Sequence, residues 1–513
     1  MFFNVYILPH AWQLISAVHL LFIIFVLFFE RQGSARRMAW LLALVFLPVV
    51  GMLLYIMFSG HFFTRTKRMI KTKRFVYMQM APFYQIQHDF FISHADDIAD
   101  PRIRENLPFI TINLTRGASL LSFSDSIKFF CWGEDLFERL CGELAAAKSS
   151  IHLEYFTFRN DATGRRILSI LCEKARDGVE VKLLYDDFGS ILTPAAFFRQ
   201  LDKAGGESRA FFRVRTGLPL SINFRNHRKV AVIDGEIGYM GGVNVGDEYA
   251  NCSRHRKPLW RDTHIRLTGS SVPALQMYFL LDWYSVTAWD SRTHKAPDLY
   301  RYFPQSFLTA LSDELERKTY ADFISDSANM NRVPTQIMTA GPNDTNVGAI
   351  EDALIYMIMR AKKSVYIQTP YFTPDEPFFT ALKIAAGAGI DVRVMVPGKW
   401  DKFYVRAAAM EFMRELLAFG VKFYAYPGFI HAKTLVIDSE LVTVGSTNID
   451  QRSFQLHFEI NAFFYDAPTA RRYADIFAED QKVCTPVDAD ALNAKFIGVR
   501  AWWGFCKLFS PLM

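Results

Sequence analysis

An internal repeat constrains the fold of this 513-residue chain more than any other feature of its sequence. The segment AKSSIHLEYFTF, which starts at Ala147, is matched by AKKSVYIQTPYF, which starts at Ala361, at an offset of 214 residues. Farther along, GVEVKLLYDD from Gly178 matches GIDVRVMVPG from Gly389 at an offset of 211 residues. The offset changes by only a few residues between these segments, and loops tolerate insertions or deletions of that size. A period of roughly 200 residues is too long for a solenoid and indicates two similar domains.

Each copy of the repeat predicts the same order of elements: a helix that ends in a basic turn, an apolar strand, another helix and a second apolar strand. This alternation predicts an α/β fold in which mixed sheets are flanked by helices. We place the first domain at residues 106–330 and the second at 331–513, with a polar segment near 290–335 between the two halves. A pseudo-two-fold arrangement would let matching motifs meet at one interface, where each copy contributes half of a site.

The repeat also contains a motif of polar residues that occurs in both copies. NHRKVAVIDGEIGYMGGVN from Asn226 matches IHAKTLVIDSELVTVGSTN from Ile430, and both contain the pattern HxKxxxxD, six residues, then G[GS]xN. One such pattern is a weak signal, but two at equivalent places of a repeat are a strong one. The motif residues are His227, Lys229, Asp234 and Asn244 in the first copy, and His431, Lys433, Asp438 and Asn448 in the second.

These residue types suit the chemistry of a phosphate group. HRKVAVID and HAKTLVID predict strands, in which alternation directs His and Lys to one face while Asp falls where the strand ends. Two facing sets supply a nucleophilic imidazole, a second imidazole as general acid, and lysine and asparagine donors around a developing negative charge. This chemistry needs no metal, and we predict neither a metal nor a cofactor. The six cysteines form no CxxC pair, which argues against a structural zinc or a disulfide framework.

The N-terminal 60 residues are predicted to form a transmembrane hairpin. Two runs without an ionised side chain cover residues 12–29 and 38–58, which are 18 and 21 residues long. At 1.5 Å per residue, each run is about long enough to cross a hydrocarbon core of roughly 30 Å. A basic juxtamembrane linker is expected over residues 61–105. Six basic residues follow the second run and three lie between the runs, which places the rest of the chain on the cytoplasmic side.

Paired HKD motifs on a duplicated α/β chain resemble the phospholipase D superfamily, and the resemblance extends over nearly the whole chain. Within that superfamily, three segments resemble bacterial cardiolipin synthases that carry an N-terminal membrane hairpin. These segments are SARRMAWLLALVFLPVVGMLLYIMFSG, GFIHAKTLVIDSELVTVGSTNIDQRS and the terminal KLFSPLM. Gly242 stands where many superfamily members have Ser, which is compatible with this subgroup.

The resemblance implies a ping-pong reaction in which one histidine attacks the phosphorus of phosphatidylglycerol, releases glycerol and leaves a phosphatidyl-histidine. A second phosphatidylglycerol then accepts the phosphatidyl group. We assign His227 as the nucleophile and His431 as the acid and base, a choice that the symmetry of the sequence leaves open. The resemblance also implies a carboxylate downstream of each motif that orients the imidazole. Asp262 and Glu459 are candidates by position, although either could be an ordinary surface or salt-bridged acid.

The expected partners are phosphatidylglycerol and cardiolipin in the bacterial inner membrane, and no nucleic acid. Two alternatives use the same motifs: a hydrolytic membrane phospholipase D, which hands the phosphatidyl group to water, and a membrane phosphodiesterase that acts on nucleic acid. The net charge of +6 permits the latter, but the basic residues cluster beside the apolar runs rather than along a stripe with stacking aromatics. A catalytically inactive membrane scaffold with this fold would be expected to have lost a motif His or Lys, and none is missing. The sequence leaves open the acyl-chain preference, the use of phosphatidylethanolamine and the oligomeric state.

Overall fold

The computed structural model describes residues 8–29, 34–58, 83–213, 224–252, 259–286, 300–303, 331–342 and 347–512. The chain separates into an N-terminal unit (Met1–Arg65 with Val214–Phe224) and a main body (Thr66–Arg213 with Arg225–Met513). Most of the segment expected to join the two halves of the repeat lies outside the described residues.

The N-terminal unit contains three apolar helices in its described part. They are α1 (Leu8–Phe29), α2 (Ser34–Phe46) and α3 (Pro48–Phe58). The second apolar run was predicted to be one helix over residues 38–58, and this prediction is wrong because the run divides at Leu47. Pro48 begins α3, where a missing backbone N–H costs no helical hydrogen bond. The chain then turns back, so that the rings of Trp40 and Tyr55 lie 5.2 Å apart.

A glycine permits this close return of α3 onto α2. A Cβ atom at Gly51 would lie 2.5 Å from the carbonyl oxygen of Ala43, too close for any larger residue without a shift of the backbone. Across the described ranges, the structure contains no helix that combines the length and the apolar character required to cross a membrane. The two predicted spanning helices are therefore not confirmed.

The main body contains the remaining helices. They are α4 (83–93), α5 (Pro101–Arg104), α6 (Leu107–Gly117), α7 (Gly133–Ala146), α8 (Ala162–Arg176), α9 (Ala195–Lys203), α10 (Val272–Val286), α11 (Ala349–Arg360), α12 (Glu376–Gly387), α13 (Phe403–Leu417), α14 (Gln451–Gln455), α15 (Ala467–Lys482), α16 (Ala489–Asn493) and α17 (Ile497–Leu508). Local signals set their ends. In α8, for example, the Asp161 side chain accepts from the backbone N–H of Gly164, and Gly178 follows the helix with a φ of +88°.

The strands also fall in the main body. They are β1 (Leu121–Phe130), β2 (Ser150–Tyr155), β3 (Glu180–Asp186), β4 (Glu207–Phe211), β5 (Arg225–Asn226), β6 (Lys229–Ile233), β7 (Ile237–Gly241), β8 (Trp260–Arg261), β9 (His264–Gly269), β10 (Val333–Ala340), β11 (Ser364–Gln368), β12 (Phe372–Thr373), β13 (Asp391–Pro397), β14 (Lys422–Tyr426), β15 (Phe429–Ile430), β16 (Thr434–Ile437), β17 (Leu441–Gly445), β18 (Ile449–Asp450), β19 (His457–Phe464) and β20 (Thr485–Pro486). Each copy of the repeat has the predicted helix, strand, helix and strand: α7, β2, α8 and β3, then α11, β11, α12 and β13.

One mixed sheet of 16 strands runs through both halves of the described main body. Its order is β20-β14-β13-β11-β16-β17-β19-β10-β1-β9-β7-β6-β2-β3-β4, and β5 pairs with β19. The halves meet at β1 and β10, which are antiparallel with Leu121 opposite Gln336. Outward from this pair, β19, β17, β16, β11 and β13 on one side match β9, β7, β6, β2 and β3 on the other. The α/β prediction with two similar, helix-flanked halves is confirmed.

The segment before the repeat packs into the core of the second half. Phe90 and Phe91 from α4, and Phe109 from α6, belong to the same buried cluster as Leu354 and Val394. Residues 83–104 were expected to lie in a basic linker, but they form α4 and α5 and bury apolar side chains. Residues 59–82, which carry the basic cluster, lie outside the described part of the chain.

Candidate active site

Each motif histidine is held by the backbone of the opposite half of the main body. β5, just before His227, pairs in parallel with the start of β19, and the His227 N–H donates to the Phe458 carbonyl over 2.9 Å. In the same way, β15, just before His431, pairs in parallel with β8, and the His431 N–H donates to the Arg261 carbonyl over 2.7 Å. The two histidines therefore lie where each half inserts a short strand against the other.

The two carboxylates predicted as orienting groups contact the histidines in a crossed arrangement. Nδ1 of His227 lies 3.0 and 3.1 Å from the two carboxylate oxygens of Glu459, which is 232 residues away in the second half. Nδ1 of His431 lies 2.6 Å from Oδ2 of Asp262, which is 169 residues away in the first half. A carboxylate can only accept, so each Nδ1 donates its proton and each Nε2 keeps a lone pair.

The motif lysines lie beside the histidines and are buried. The ammonium of Lys229 donates to the backbone carbonyl of His227, and that of Lys433 donates to the carbonyl of His431. Burial lowers the pKa of Lys229 to about 7 and that of Lys433 to about 8, while the nearby carboxylates oppose the shift. A bound phosphate anion would favour the protonated form of both lysines.

The electrostatic environment keeps both imidazoles neutral in the free protein. Burial and then the positive charges of Lys229 and Lys433 hold the pKa of His227 well below its usual value. Burial and Lys433 lower the pKa of His431 to about 4, although Asp262 acts in the opposite direction. Burial would raise the pKa of Asp262, but Lys433 and His431 together hold it below its usual value. His227 also senses the charge of His431, so the groups of both motifs act within one site.

The two motif asparagines are buried but differ in their contacts. Oδ1 of Asn244 accepts from the N–H of Thr157 over 3.0 Å, and its Nδ2 donates to the Tyr249 hydroxyl over 2.8 Å. Oδ1 of Asn448 has no hydrogen-bond partner among the described residues. The first amide is therefore already used in positioning the loop of Thr157, and the second keeps more free hydrogen-bonding capacity.

The structure does not place the motif aspartates with the histidines, so their prediction as catalytic residues is wrong. The carboxylate of Asp234 accepts from the backbone N–H groups of residues 148–150 at 2.7 to 3.1 Å. Asp438 accepts from those of residues 362–364 at 2.7 to 2.8 Å. Both follow the far end of the strand, about 16 Å from the motif lysine at roughly 3.3 Å per residue. Each aspartate instead fixes the turn that leads into β2 or β11.

Aromatic rings line both histidines, and one of their neighbours is a third histidine that our sequence reasoning missed. The ring of His457 lies 5.5 Å from His227, and Trp260 at the equivalent place lies 5.1 Å from His431. Each of these residues stands two positions before its orienting carboxylate, which is a signal that the sequence did contain. Neither ring nitrogen of His457 has a hydrogen-bond partner in the described part of the chain.

His457 also completes a group of possible metal donors. Donor atoms of His227, His457 and Glu459 lie within 4.8 Å of one another. A cation bound there would occupy groups that already form the His227–Glu459 hydrogen bond, so we assign no metal to the site.

The glycine at position 242 is required by the position of Asp262. A Cβ atom on Gly242 would overlap Oδ1 of Asp262, whereas Ser446 at the equivalent place donates its hydroxyl to Glu459. We expect Gly242→Ala to displace Asp262 from His431 and to lower turnover by about 10- to 100-fold, the usual effect of losing an orienting partner. Gly142→Ala is the control, because an added Cβ there meets no atom within 4 Å, and its turnover should equal that of the wild type. Equal turnover of the two variants would contradict this interpretation.

Comparison with known proteins adds an independent finding. A family model described as "Cardiolipin synthase, PLD-like domain" matches residues 140–256 and 354–481, one match in each half of the main body. A model described as "Phospholipase_D-nuclease N-terminal" matches residues 17–60. Among solved structures, the phosphatidylserine synthase of Haemophilus influenzae Rd KW20 shares the fold at 14% identity with a TM-score of 0.56, covering 77% of this chain and 97% of that one.

Curated relatives match the chain from end to end. The cardiolipin synthase of Listeria monocytogenes serotype 4b (strain CLIP80459) is 34% identical over 99% of this chain and 100% of its own length. The major cardiolipin synthase ClsA of Bacillus subtilis (strain 168) is 35% identical over 98% of each chain. Cardiolipin synthase 1 of Staphylococcus epidermidis is 36% identical over 97% of this chain and 96% of its own.

Proposed function

Because the chain belongs to the cardiolipin synthase family of the phospholipase D superfamily, we propose that it transfers a phosphatidyl group from one phosphatidylglycerol to another and releases glycerol. The observation that carries this proposal is the crossed pair of buried His–carboxylate hydrogen bonds. It leaves two neutral imidazole nitrogens and two buried lysines in one site. That set can attack a phosphodiester and neutralise the charge that develops on it.

In the first half-reaction, Nε2 of His227 bonds to phosphorus while the bond from phosphorus to the glycerol headgroup oxygen breaks. His431 donates a proton to that oxygen, and glycerol leaves. The bound phosphodiester anion raises the pKa of His431, so that its protonated form is populated when it is needed. Lys229 and Lys433 hold the non-bridging phosphate oxygens. The His227 imidazole, whose pKa is held well below its usual value, suits the role of nucleophile.

In the second half-reaction, a headgroup hydroxyl of another phosphatidylglycerol gives its proton to His431. Its oxygen bonds to phosphorus as the bond from phosphorus to His227 breaks, which forms cardiolipin and restores both histidines. Microscopic reversibility requires the same residue to act as acid first and as base second. Neither half-reaction uses a metal.

The test is to incubate the purified full chain with phosphatidylglycerol vesicles and excess EDTA, and to quantify the products by mass spectrometry. Cardiolipin and glycerol in equal amounts, both absent with His227→Ala, are expected. Phosphatidic acid in place of cardiolipin would identify a hydrolytic phospholipase D, and loss of activity in EDTA would contradict the metal-free mechanism.

The pH dependence of activity should reflect the protonation of Lys229 and Lys433. Burial lowers their pKa values to about 7 and about 8, so each loses its proton, and its hold on phosphate, as the pH rises through these values. We therefore expect kcat/KM to fall on the alkaline side from about pH 7 to 8, whereas kcat, measured with phosphate bound, falls at higher pH. Lys229→Arg should move the kcat/KM limb from about pH 7 toward pH 8, because a guanidinium stays charged and only Lys433 is left to titrate. A kcat/KM that rises up to pH 9 would contradict this assignment.

We also propose that the N-terminal unit inserts into the bacterial cell membrane, with the main body on the cytoplasmic side. Large apolar side chains, among them Leu14, Leu21, Phe28 and Phe46, are exposed on α1 and α2. Exposed apolar side chains in this number are costly in water and favour a lipid environment.

Deletion of residues 1–60 tests the anchor. We expect the deletion to reduce activity on phosphatidylglycerol vesicles more than on the same lipid dispersed in detergent, because only the bilayer reaction needs the protein to be held at a surface. The two rates are measured on one preparation, so a folding defect would lower both. Equal loss in both assays would rule out anchoring by this segment.

A further inference from the structure

Two loops beside the candidate site have an unusual distribution of side chains. The first rim loop (residues 186–193) begins at the last residue of β3, and the second rim loop (residues 399–404) connects β13 to the first turn of α13. In the first rim loop the polar side chains of Asp186, Asp187, Ser190 and Thr193 are buried, whereas Phe188, Ile191 and Leu192 are exposed. Surface loops normally have the reverse pattern, with polar groups in water.

Hydrogen bonds fix this inverted arrangement of the first rim loop. The Asp186 carboxylate accepts from the N–H groups of Phe188 and Gly189 at 2.9 and 3.0 Å. The Thr193 hydroxyl donates to the Phe158 carbonyl over 2.7 Å. Because the polar groups are bonded inward, the apolar side chains are directed outward in a defined conformation.

The first rim loop lies directly beside His227. The other Asp186 oxygen accepts from the N–H of Asn226, the residue before this histidine, over 3.0 Å. The Ser190 hydroxyl donates to the carbonyl of Phe156, whose ring lies 5.1 Å from the His227 ring. The first rim loop is thus linked to the proposed nucleophile through Asn226 and Phe156.

The second rim loop has the equivalent relation to His431. The Tyr371 hydroxyl donates to Asp401 over 2.6 Å, and the ring of Tyr371 lies 6.4 Å from Phe429, which in turn lies 5.7 Å from the His431 ring. Phe403 and Tyr404 are exposed at this rim, next to the exposed residue Lys399, and the ammonium of Lys402 lies over the Tyr371 ring at 4.6 Å.

Each loop exposes one large apolar residue after the corresponding strand of the repeat: Leu192 is 77% exposed and Phe403 is 74% exposed. β3, the strand before the first rim loop, ends at the same end of the strands where β6 begins. In the second half, β13 likewise ends where β16 begins. The two loops therefore flank one site from its two halves.

We propose that the two rim loops form a membrane-docking surface that inserts Leu192 and Phe403 into the bilayer around the active site. This inference rests on the proposed function, since a site that acts on bilayer lipids must face the headgroup layer. Exposed apolar side chains enter the acyl boundary, and Lys399 meets anionic headgroups at the surface. The loops would thus orient the site toward its substrate, whatever segment anchors the chain.

Spin labelling of the full chain in phosphatidylglycerol-containing vesicles tests insertion without relying on activity. Nitroxides are attached at Leu192→Cys or Phe403→Cys in a background in which Cys131, Cys252 and Cys484 are Ser. Collisions with oxygen, which partitions into lipid, should exceed those with a water-soluble nickel complex at both sites. A label at Met359→Cys, on the 52% exposed residue of α11, should show the reverse. Nickel accessibility at 192 and 403 equal to that at 359 would overturn the proposal.

A kinetic comparison gives the second readout. For the Leu192→Ser/Phe403→Ser double variant, the ratio of the vesicle rate to the detergent-micelle rate should fall about tenfold, because two large apolar side chains no longer enter lipid. Met359→Ser/Ile384→Ser, two exposed apolar residues away from the rim, should keep the wild-type ratio. An unchanged ratio for the rim variant would overturn the docking surface. Wild-type protein inactive on both forms of lipid would instead refute the proposed function, and the spin labels would still test docking.

Discussion

Replacement of His227 by Ala is expected to abolish both half-reactions, whereas replacement of His431 by Ala abolishes only the steps that need a proton. With phosphatidylglycerol, each variant should lose roughly 10⁴-fold in turnover, because members of a catalytic unit fail together. A phosphatidyl ester of p-nitrophenol separates them, since its phenolate leaves without being protonated. With this donor His431→Ala should release about one equivalent of nitrophenolate per site and then stop, and His227→Ala should release none.

The phosphatidyl-enzyme that accumulates in His431→Ala provides a direct check of these roles. Intact-protein mass spectrometry of His431→Ala after the burst should show the added mass of one phosphatidyl group, lost again at acidic pH, where phosphohistidine linkages are labile. A burst from His227→Ala and none from His431→Ala would exchange the two roles. The geometry of the site would then remain, with the proton transferred at His227.

Replacement of the carboxylates is expected to reproduce these two behaviours in a crossed pattern. Glu459→Gln should lose the nitrophenolate burst as His227→Ala does, although Glu459 lies in the second half of the chain. Asp262→Asn should keep the burst and lose turnover as His431→Ala does, although Asp262 lies in the first half. The expected loss in kcat with phosphatidylglycerol is about 10³- to 10⁴-fold, because the amide no longer fixes the Nδ1–H tautomer or stabilises an imidazolium.

Matched controls distinguish this effect from a general loss of charge. Glu440→Gln and Asp177→Asn change exposed carboxylates of the same types, and both should keep wild-type bursts and turnover. A burst retained by Glu459→Gln and lost by Asp262→Asn would mean that each carboxylate serves the histidine of its own half, against the crossed hydrogen bonds.

Much of the candidate site could be predicted from the sequence because a duplicated motif is a local signal. His227, Lys229, His431 and Lys433 lie together in the structure, and the helix and strand order of both copies is as expected. The prediction failed for Asp234, whose position in the motif suggested a catalytic role. A carboxylate that accepts three backbone N–H groups has the same sequence signature as one that meets a substrate, and only its surroundings distinguish the two.

The presence of apolar segments could likewise be predicted from the sequence, but their packing could not. The run over residues 38–58 is as apolar as a spanning helix, but Pro48 begins a new helix and Gly51 lets it pack back on α2. The charged surroundings of α4 suggested a linker. Its buried Phe90 and Phe91 become visible as core residues only once the second half of the chain is in place.

The duplicated motif alone predicts two α/β halves and two His–Lys sets for a phosphate group, and the family resemblance adds two candidate carboxylates. Which carboxylate serves which histidine depends on the fold. In a repeat, each histidine has an equivalent carboxylate in both halves, and sequence offsets cannot tell contacts within a half from contacts between halves. The choice is made by β5 and β15, which pair with strands of the opposite half and carry His227 to Glu459 and His431 to Asp262.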